Sequence, residues 1–597
     1  MALPRGRVQG ILIPGVGVLD RGVALGQDDS AAGTSSRTSR FLPGIHVLRH
    51  YRRAWLRGDV VAGCTVAAYL VPQVMAYAEV AGLPPVTGLW AVMGPLLVYA
   101  VLGSSRQLSV GPESTTALMT ATALAALTAG GALPGDAAAA LAIAVGAVCL
   151  VGWLARLGFL ANLLSHPILT GYMAGIAVLM IISQLDNFTG IPIPSGNTFT
   201  EIGYLLRHLD QVHLLTFGLA VLVLALLIAL RRWIPAAPGP LVAVVGSTVV
   251  VALFDLQSAG VAVVGEIPAG LPRPSLPDFA AIDLAALIGA ALGITVVGYT
   301  DNVLTARSFA IRAGDRIDSQ QEFLALGAAN LSTGVLQGFP VSSSGSRTAV
   351  GDTAGSRTQL HSLVALAVVL LTLLALRPVL SGFPLAALAA IVVFAAMRLI
   401  DVAELRRIAH FRRSEIVLAV ATTAAVLAVG VLYGIAVAIA LSVLDLLRRI
   451  ARPHDAVLGY VPGLAGMHDI EDYEGGRQLP GLLIYRYDSP LFFANADDFQ
   501  ARALAALEDE DHQVLWFVLN IEAISEIDIT GADALENLRR ELANRNIVFG
   551  LARLKTELRQ TLETAGFMDK IGADRVYATL PTAVEAYRHW CQAQPPR

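Results

Sequence analysis

The sequence predicts an α-helical, polytopic membrane protein that ends in a small α/β domain. Of its 597 residues, 55% are hydrophobic and only 15% are charged, whereas soluble globular proteins have about 25% charged residues. The mean hydropathy of +0.63 is typical of a chain with many membrane spans. Charged residues are sparse before Arg448 and dense after it, so a soluble domain is expected to follow the membrane domain.

Fourteen apolar segments are candidates for membrane spans, because about 20 residues cross the hydrocarbon core of a bilayer. The third and the tenth resemble half-helices preceded by extended chain, and the tenth is too polar to pass a hydropathy filter. The segments lie near residues 59–78, 86–103, 111–129, 138–156, 166–184, 212–230, 238–255, 279–300, 319–338, 346–355, 358–376, 379–397, 413–429 and 430–448.

The arginine distribution supports an even number of spans. If the fourteen segments alternate in direction, one set of loops contains few arginines, namely Arg207, Arg273 and Arg377. By the positive-inside rule the other side is cytoplasmic, together with both chain termini, as expected for a multi-pass protein of the cell membrane. The arginines on that side are Arg49, Arg52, Arg53, Arg57, Arg106, Arg156, Arg231, Arg232, Arg307, Arg312, Arg316, Arg406, Arg407, Arg412, Arg413, Arg448 and Arg449.

Composition divides the chain into three predicted regions. Residues 1–45 are expected to be a disordered cytoplasmic tail, 46–450 a transmembrane domain and 454–597 a cytoplasmic domain. In the last region the strand-like runs GLLIYRY and VLWFVLN alternate with the helical patterns NADDFQARALAAL, GADALENLRREL and LKTELRQTLETAG, which predicts an α/β layer fold. The three cysteines have no metal-like spacing, so no metal or other cofactor is expected.

Two interrupted segments indicate where a ligand binds. In SVGPEST, Pro112 precedes Glu113 and an apolar run; proline is tolerated in the first turn of a helix, which predicts a helix starting there, inside the membrane. In FPVSSSGSR, Ser346 and Arg347 can begin a second helix. Ordinary kinks are the alternative, but interruptions at equivalent places in two halves indicate an inverted-repeat transporter. Two facing helix starts, with unpaired N–H groups and partial positive charge, suit an anion.

Three strings resemble the SulP family of anion transporters, the sulfate permease-like group: VPQVMAYAEVAGLPPVTGLW, SVGPEST and SQQEFLALGAANLSTGVLQGFPVSSSGSRTAV. The resemblance extends over about residues 40–597. It implies fourteen membrane segments in two inverted seven-span repeats, with a core domain that binds the anion and a gate domain beside it. It also implies a cytoplasmic STAS domain at the C-terminus and a homodimer.

The resemblance and the side-chain chemistry together give a predicted anion site. The amide of Gln73 can donate to an anion, and the matching family position lines the site; Tyr77 lies one turn later on the same helix face. Helix–helix hydrogen bonding by Gln73 and an interface role for Tyr77 are the alternatives. The predicted substrate-binding residues are Gln73, Tyr77, Glu113, Ser114, Gly345, Ser346 and Arg347.

Arg347 needs a compensating role if it lies inside the membrane, because an arginine at the bilayer centre costs about 2.5–3.5 kcal/mol on insertion scales. It can supply positive potential to the site or pair with an acid, while Ser346 offers its hydroxyl and backbone N–H to the anion. The alternative is that Arg347 lies at the membrane interface.

Asp301 is the predicted coupling group, because the family often carries a carboxylate at this place that is associated with cation or proton coupling. With Thr300 and Thr305 it can hold Na⁺ through oxygen ligands, or it can titrate; a structural, hydrogen-bonded acid is the alternative. The predicted coupling-ion residues are Asp301, Glu113 and Thr305.

Glu113 departs from the family pattern, which tends to have an uncharged residue at this position. A carboxylate is favourable at a helix N-terminus, but it occupies the place where a substrate anion would bind. Two explanations stay open. Either Glu113 pairs with Arg347 and leaves the site neutral, or Glu113 is protonated before the anion binds, which makes transport proton-coupled.

In the C-terminal region, ISEIDITGADALENL resembles the D-x-[ST]-G turn of STAS domains at Asp528, Thr530 and Gly531. Thr530 is a suitable N-cap, with Asp533 placed as in a capping box. In bacterial STAS regulators the matching Ser or Thr can be phosphorylated, which adds up to about −2 charge at a helix start. Asp528 and Thr530 are therefore the predicted regulatory residues.

The predicted function is secondary active transport of an inorganic anion, sulfate first, coupled to H⁺, by alternating access between half-helices 3 and 10. A bicarbonate or dicarboxylate symporter, coupled to Na⁺ or H⁺, and an uncoupled exchanger or channel are the alternatives. The expected partners are the anion, the coupling ion, the lipid membrane, a second copy of the chain and a cytoplasmic protein at the STAS domain, but no nucleic acid. An enzyme is not expected, because His166 and His361 lack a partner at metal spacing and no G-x-x-x-x-G-K-[ST] string is present.

Overall fold

The computed structural model describes residues 42–159, 165–194, 198–235, 237–268, 270–510 and 512–593. The predicted N-terminal tail lies outside these residues up to residue 41, and its last residues begin the first helix. The helices of the membrane domain are α1 Pro43–Arg49, α2 Leu56–Val80, α3 Val86–Leu102, α4 Ser114–Leu127, α5 Pro134–Leu154, α6 His166–Ile182, α7 Leu185–Thr189, α8 Thr198–Arg207, α9 Leu214–Trp233, α10 Gly239–Leu253, α11 Leu284–Ala313, α12 Ser319–Val335, α13 Gly345–Thr353, α14 Leu360–Ala375, α15 Arg377–Ser381, α16 Leu385–Leu399, α17 Val402–Phe411, α18 Arg413–Val429 and α19 Val431–Ala451.

Each of the fourteen predicted segments overlaps one of these helices, and the α-helical fold class is confirmed. Within the described ranges, six helical stretches are both long and apolar enough to cross a membrane, and five shorter apolar helices accompany them. The helices pack around one large apolar cluster, in which α12 contacts α5 and α3, α18 contacts α6, and α14 contacts α2. The number of crossings stays a prediction.

The third and tenth segments are short helices that start inside the domain. Helix α4 has 14 residues and α13 has 9, so they are about 21 Å and 14 Å long at 1.5 Å per residue, too short for a hydrocarbon core of about 30 Å. Strands β1 Val110–Gly111 and β2 Ser342–Ser343 precede them and pair antiparallel. The predicted extended chain before each half-helix is therefore present, and the strand pair holds the two helix starts together.

The predicted helix start at Pro112 is wrong by two residues. Glu113 has extended backbone (φ −135°, ψ 156°) and α4 begins at Ser114, so Pro112 lies outside the first turn. The cause is the β1–β2 pair, which keeps the chain extended through Gly111. In the tenth segment Ser344 is the N-cap, and its Oγ accepts the N–H of Arg347 at 3.4 Å; that helix starts at Gly345, one residue before the predicted start.

Buried polar side chains anchor the helices around these half-helices. The carboxylate of Glu322 accepts hydrogen bonds from Tyr99, Ser104 and Asn302, the last at 2.6 Å. Asn330 donates to the carbonyl of Val341 at 3.1 Å and accepts its N–H at 2.9 Å. These contacts join α11 and α12 to the end of α3 and to the chain leading into β2, so the neighbours of the half-helices are firmly positioned.

The C-terminal domain is an α/β layer structure, as predicted. Its six-stranded sheet has the order β4-β3-β5-β6-β7-β8, with β5 to β8 parallel and β3 antiparallel to both of its neighbours. One apolar cluster lies on each face of the sheet. The elements are β3 Asp455–Gly459, β4 His468–Asp469, β5 Leu482–Tyr487, α20 Ala496–Glu508, β6 Trp516–Asn520, α21 Ile529–Asn544, β7 Val548–Ala552, α22 Thr556–Thr564, α23 Phe567–Ile571, β8 Val576–Tyr577 and α24 Leu580–Ala593.

One buried amide joins the two domains. Nδ2 of Asn495 donates to the carbonyl of Ile450, near the end of α19, at 3.2 Å, and to the carbonyl of Pro490 at 2.8 Å. Asn495 also precedes α20 as its N-cap residue. The side chain of Asn495 thus links the last helix of the membrane domain to the start of the first helix of the C-terminal domain.

Candidate functional site

A cavity of about 550 Å³, called here the site cavity, lies at the starts of the two half-helices. It extends from there to the end of the domain at which α6 and α17 begin, where His166, Asp401 and Glu404 line it. Most of the residues predicted from the sequence meet here. Those that line it are Gln73, Tyr77, Glu113, Ser114, Asp301, Thr305, Gly345 and Ser346.

Arg347 is not among the described lining residues of the site cavity. Its side chain is fully buried behind the wall, where Nη1 donates to the carbonyl of Pro112 at 2.7 Å and to Oε1 of Gln73 at 3.2 Å. Its Nε donates to Oγ of Ser109 at 3.4 Å. The guanidinium therefore acts on the cavity through its charge and through the groups it orients.

Gln73 and Tyr77 form a hydrogen-bonded pair on one face of α2, as their spacing of four residues predicts. Because Oε1 of Gln73 accepts from Arg347, its Nε2 is directed the other way and donates to Oη of Tyr77 at 2.9 Å. The amide retains a second N–H, and the phenol, which accepts from Gln73, retains its own O–H. Both remaining hydrogens belong to residues that line the site cavity.

Glu113 is held beside Arg347, but not by a direct hydrogen bond. Its Oε2 lies 3.7 Å from Nη1 of Arg347, while its Oε1 accepts the hydroxyl of Ser114 at 3.0 Å. No described group donates a hydrogen bond to the buried Oε2, nor accepts one from Nη2 of Arg347. A charged carboxylate and a charged guanidinium in this place attract each other and leave polar atoms for a proton or a ligand.

The first turns of α4 and α13 supply backbone donors. Ser114, Gly345 and Ser346 occupy the start of their helices, where N–H groups have no acceptor within the helix. The carboxylate of Glu113 makes no cap hydrogen bond to α4. Because these residues also line the site cavity, two partially positive helix ends face one space.

Asp301 lines the site cavity together with Glu113 and contacts the second strand of the pair. Its Oδ2 accepts the hydroxyl of Ser343, a residue of β2, at 3.3 Å. Thr305 follows one turn later on α11 and lines the same cavity. A carboxylate, a threonine and the start of α13 therefore line one cavity.

Sequence reasoning missed the polar residues at the mouth of the site cavity. Nε2 of His166 lies 2.8 Å from Oε1 of Glu404, which also binds Arg407 at 2.6 Å. Asp401 and Arg398 line the same region. The sequence shows no partner for His166 at metal spacing, and its contact with Glu404, 238 residues further along the chain, is one that no local pattern signals.

In the C-terminal domain, the predicted cap at Thr530 is wrong. Asp528 is the N-cap of α21, and its Oδ1 accepts the N–H of Gly531 at 2.7 Å. Its Oδ2 accepts the N–H of Phe493 at 2.9 Å. A carboxylate two residues earlier reaches the free N–H groups of the first turn, so α21 begins at Ile529, and Thr530 is an exposed residue inside that turn.

Replacing Asp528 by alanine is expected to lower the free energy of unfolding of the C-terminal domain by about 1–2 kcal/mol, because a capping acceptor is lost. The measurement is urea unfolding of a fragment covering 454–597, which contains both apolar clusters of the domain. Asp528→Asn should retain most of the stability, and Thr530→Ala should change it by less than about 0.5 kcal/mol. A larger loss from Thr530→Ala than from Asp528→Ala would restore Thr530 as the cap.

Comparison with known proteins gives consistent matches along the chain. A profile described as the sulfate permease family matches residues 56–422, and a STAS domain profile matches residues 477–583. A probable sulfate transporter of Mycobacterium tuberculosis (strain CDC 1551 / Oshkosh) is 56% identical over 547 residues, 92% of this chain and 98% of that protein. Sulfate transporter 1.3 of Arabidopsis thaliana is 31% identical over 574 residues, 91% of this chain and 87% of that protein.

The fold is also similar to that of a solved structure. The murine Solute Carrier 26 family member A9 anion transporter in the inward-facing state aligns with a TM-score of 0.85, covering 97% of this chain and 99% of that chain. Only 22% of the aligned residues are identical, so this likeness concerns the fold alone.

Proposed function

The chain belongs to the sulfate permease family, and from this we propose that it is a secondary active transporter that carries sulfate across the cell membrane together with protons. The observation that carries the proposal is the meeting of two half-helix starts at one cavity. The helix ends, the hydroxyl of Ser346, the phenol of Tyr77 and the amide of Gln73 offer donors to an oxyanion there. Relatives named as sulfate transporters, at up to 56% identity, favour sulfate among the anions.

Proton coupling is proposed because of the charge around the cavity. The positive charge of Arg347 balances one of the two carboxylates, Glu113 and Asp301. One negative charge therefore remains uncompensated beside the anion. A unit charge about 5 Å from a doubly charged anion repels it by about 6–7 kcal/mol at an effective dielectric constant of about 20. Protonating an ordinary glutamate carboxylate at pH 7 costs only about 3.7 kcal/mol. Uptake of one proton together with the anion is therefore the less costly way to occupy the site.

Transport then follows alternating access. The anion and the proton enter the site cavity, the half-helices and α2 move as the anion-binding unit, and the site is exposed to the other side. We propose residues 46–450 as the transport domain and 454–597 as its cytoplasmic STAS domain, with both termini cytoplasmic and a homodimer as the assembly. A cytoplasmic protein or phosphorylation at Thr530 would act through the STAS domain.

The test is uptake by purified protein in proteoliposomes. Labelled sulfate, bicarbonate and fumarate are offered separately, each with and without an inward proton gradient, and again with an inward Na⁺ gradient. We expect sulfate to accumulate above equilibrium only with the proton gradient. If sulfate accumulates with the Na⁺ gradient alone, the coupling ion is Na⁺ rather than H⁺, and Asp301 is the residue expected to hold it. If bicarbonate or fumarate is taken up in preference to sulfate, that anion is the substrate. If the flux is equally high without any gradient, the protein is an exchanger or a channel.

A further inference from the structure

A second cavity, called here the distal cavity, lies at the opposite end of the same helices. Its volume is about 680 Å³. Val80, Leu118, Ile182 and Val431 are among the residues that line it, and they belong to the last turns of α2 and α6, the second turn of α4 and the start of α19. The site cavity and the distal cavity therefore approach each other from the two ends of the domain.

Neighbouring positions on α2 and on α4 line the two cavities. On α2, Tyr77 lines the site cavity and Val80 lines the distal cavity. On α4, Thr115 lines the site cavity and Leu118 lines the distal cavity. Three residues of α-helix advance by about 4.5 Å, so on both helices the residues that line the two cavities are less than one turn apart along the axis, and only a thin partition lies between them.

Side chains of α4 and α6 fill this partition. Oγ1 of Thr115 lies 4.0 Å from Sδ of Met173, and Oη of Tyr172 lies 3.7 Å from Sδ of Met119. The same Tyr172 hydroxyl lies 3.5 Å from the carbonyl of Val431 at the start of α19. Met119 and Tyr172 are fully buried, so these contacts close the space between the half-helix and the helices it faces.

We propose that this partition is the ion barrier of the structure, and that Leu118 determines whether anion flux stays coupled to the proton gradient. This partition, called here the septum, comprises Val80, Leu118, Met119 and Tyr172, and Leu118 lies on the side that faces the distal cavity. The inference rests on the proposed function. An anion that crosses so thin an apolar layer must lose its hydration over only one turn, so the removal of one large side chain is enough to let water and ions join the two cavities.

The chain offers a matched control on the same helix. Leu118 and Leu124 are equally buried, each with 7% of its surface exposed, and both line the distal cavity. Leu124 lies six residues further along α4, about 9 Å beyond the septum. Leu118→Ala and Leu124→Ala remove the same atoms from the same helix, but only the first thins the septum.

The experiment measures sulfate flux in proteoliposomes without a proton gradient, driven by a K⁺ diffusion potential set with valinomycin. We expect Leu118→Ala to show at least about a ten-fold higher voltage-driven flux than the parent, which corresponds to about 1.4 kcal/mol off the barrier. Leu124→Ala should stay within about two-fold of the parent. Val80→Ala removes a smaller side chain from the part of the septum that α2 contributes, so it should show an intermediate leak. It provides the test if Leu118→Ala does not fold.

The outcomes separate the two proposals. If the parent protein transports none of the offered anions, the proposed function is wrong. The proposal that the septum is an ion barrier then fails as well. If the parent accumulates sulfate with the proton gradient, but Leu118→Ala and Val80→Ala leak no more than Leu124→Ala, the septum is not the barrier and this inference is overturned.

Discussion

Glu113→Gln is expected to abolish proton-driven accumulation of sulfate while leaving sulfate–sulfate exchange within about three-fold of the parent. Glutamine keeps the length of the side chain and an oxygen for the hydroxyl of Ser114, which Glu113 binds at 3.0 Å, but it cannot take up a proton. It also removes the negative charge that repels the anion, so binding no longer requires protonation. The measurement is labelled sulfate uptake in proteoliposomes at several inward proton gradients, together with exchange at symmetrical pH.

The matched controls are other carboxylates along the same pathway. Asp301→Asn removes the second carboxylate of the site cavity that could take up the coupling proton. Asp186→Asn removes a carboxylate that lines the distal cavity instead. We expect Asp186→Asn to retain the proton dependence of the parent. If Glu113→Gln accumulates sulfate as the parent does and Asp301→Asn does not, the coupling proton belongs to Asp301, and Glu113 serves as a partner of Arg347.

Much of this site was predictable from short strings, because the features that build it are local. A proline before an apolar run and a serine-rich run before an arginine both mark places where a helix starts after extended chain. Gln73 and Tyr77 are four residues apart, a spacing that places them on one helix face. The structure places eight of the predicted residues around one cavity.

The features that sequence reasoning missed depend on distant parts of the chain. The start of α4 is delayed to Ser114 because β1 pairs with β2, whose residues come more than 200 positions later (Gly111 opposite Ser342). The pairing of His166 with Glu404 is equally remote. Arg347 was expected within the site, but its contacts with Pro112 and Gln73 keep it behind the wall. Each of these facts follows from tertiary packing, which overrides local preference.

Arg347→Met is expected to reduce sulfate transport by at least about 100-fold, because removing one member of a buried ion pair costs about 3–5 kcal/mol. The carbonyl of Pro112 and Oε1 of Gln73 would lose their donor, and Gln73 would be free to rotate its amide away from Tyr77. Glu113 would lose its nearest positive charge, at 3.7 Å. Transport is measured with protein that elutes as a single gel-filtration peak, so that misfolded material is not counted.

The role of Arg347 as a fixed positive charge can be separated from its role in packing. Arg347→Lys retains the charge but not the planar donor geometry, so we expect a loss of about ten-fold, between the parent and Arg347→Met. In the double variant Glu113→Gln, Arg347→Met, both charges are absent. If the two residues act as a pair, the double variant should transport better than Arg347→Met alone, with a coupling energy above about 1 kcal/mol in the double-mutant cycle. Additive losses would mean that Arg347 acts on the anion and on Gln73 independently of Glu113, and the proton taken up at the site would then have to be explained by Asp301.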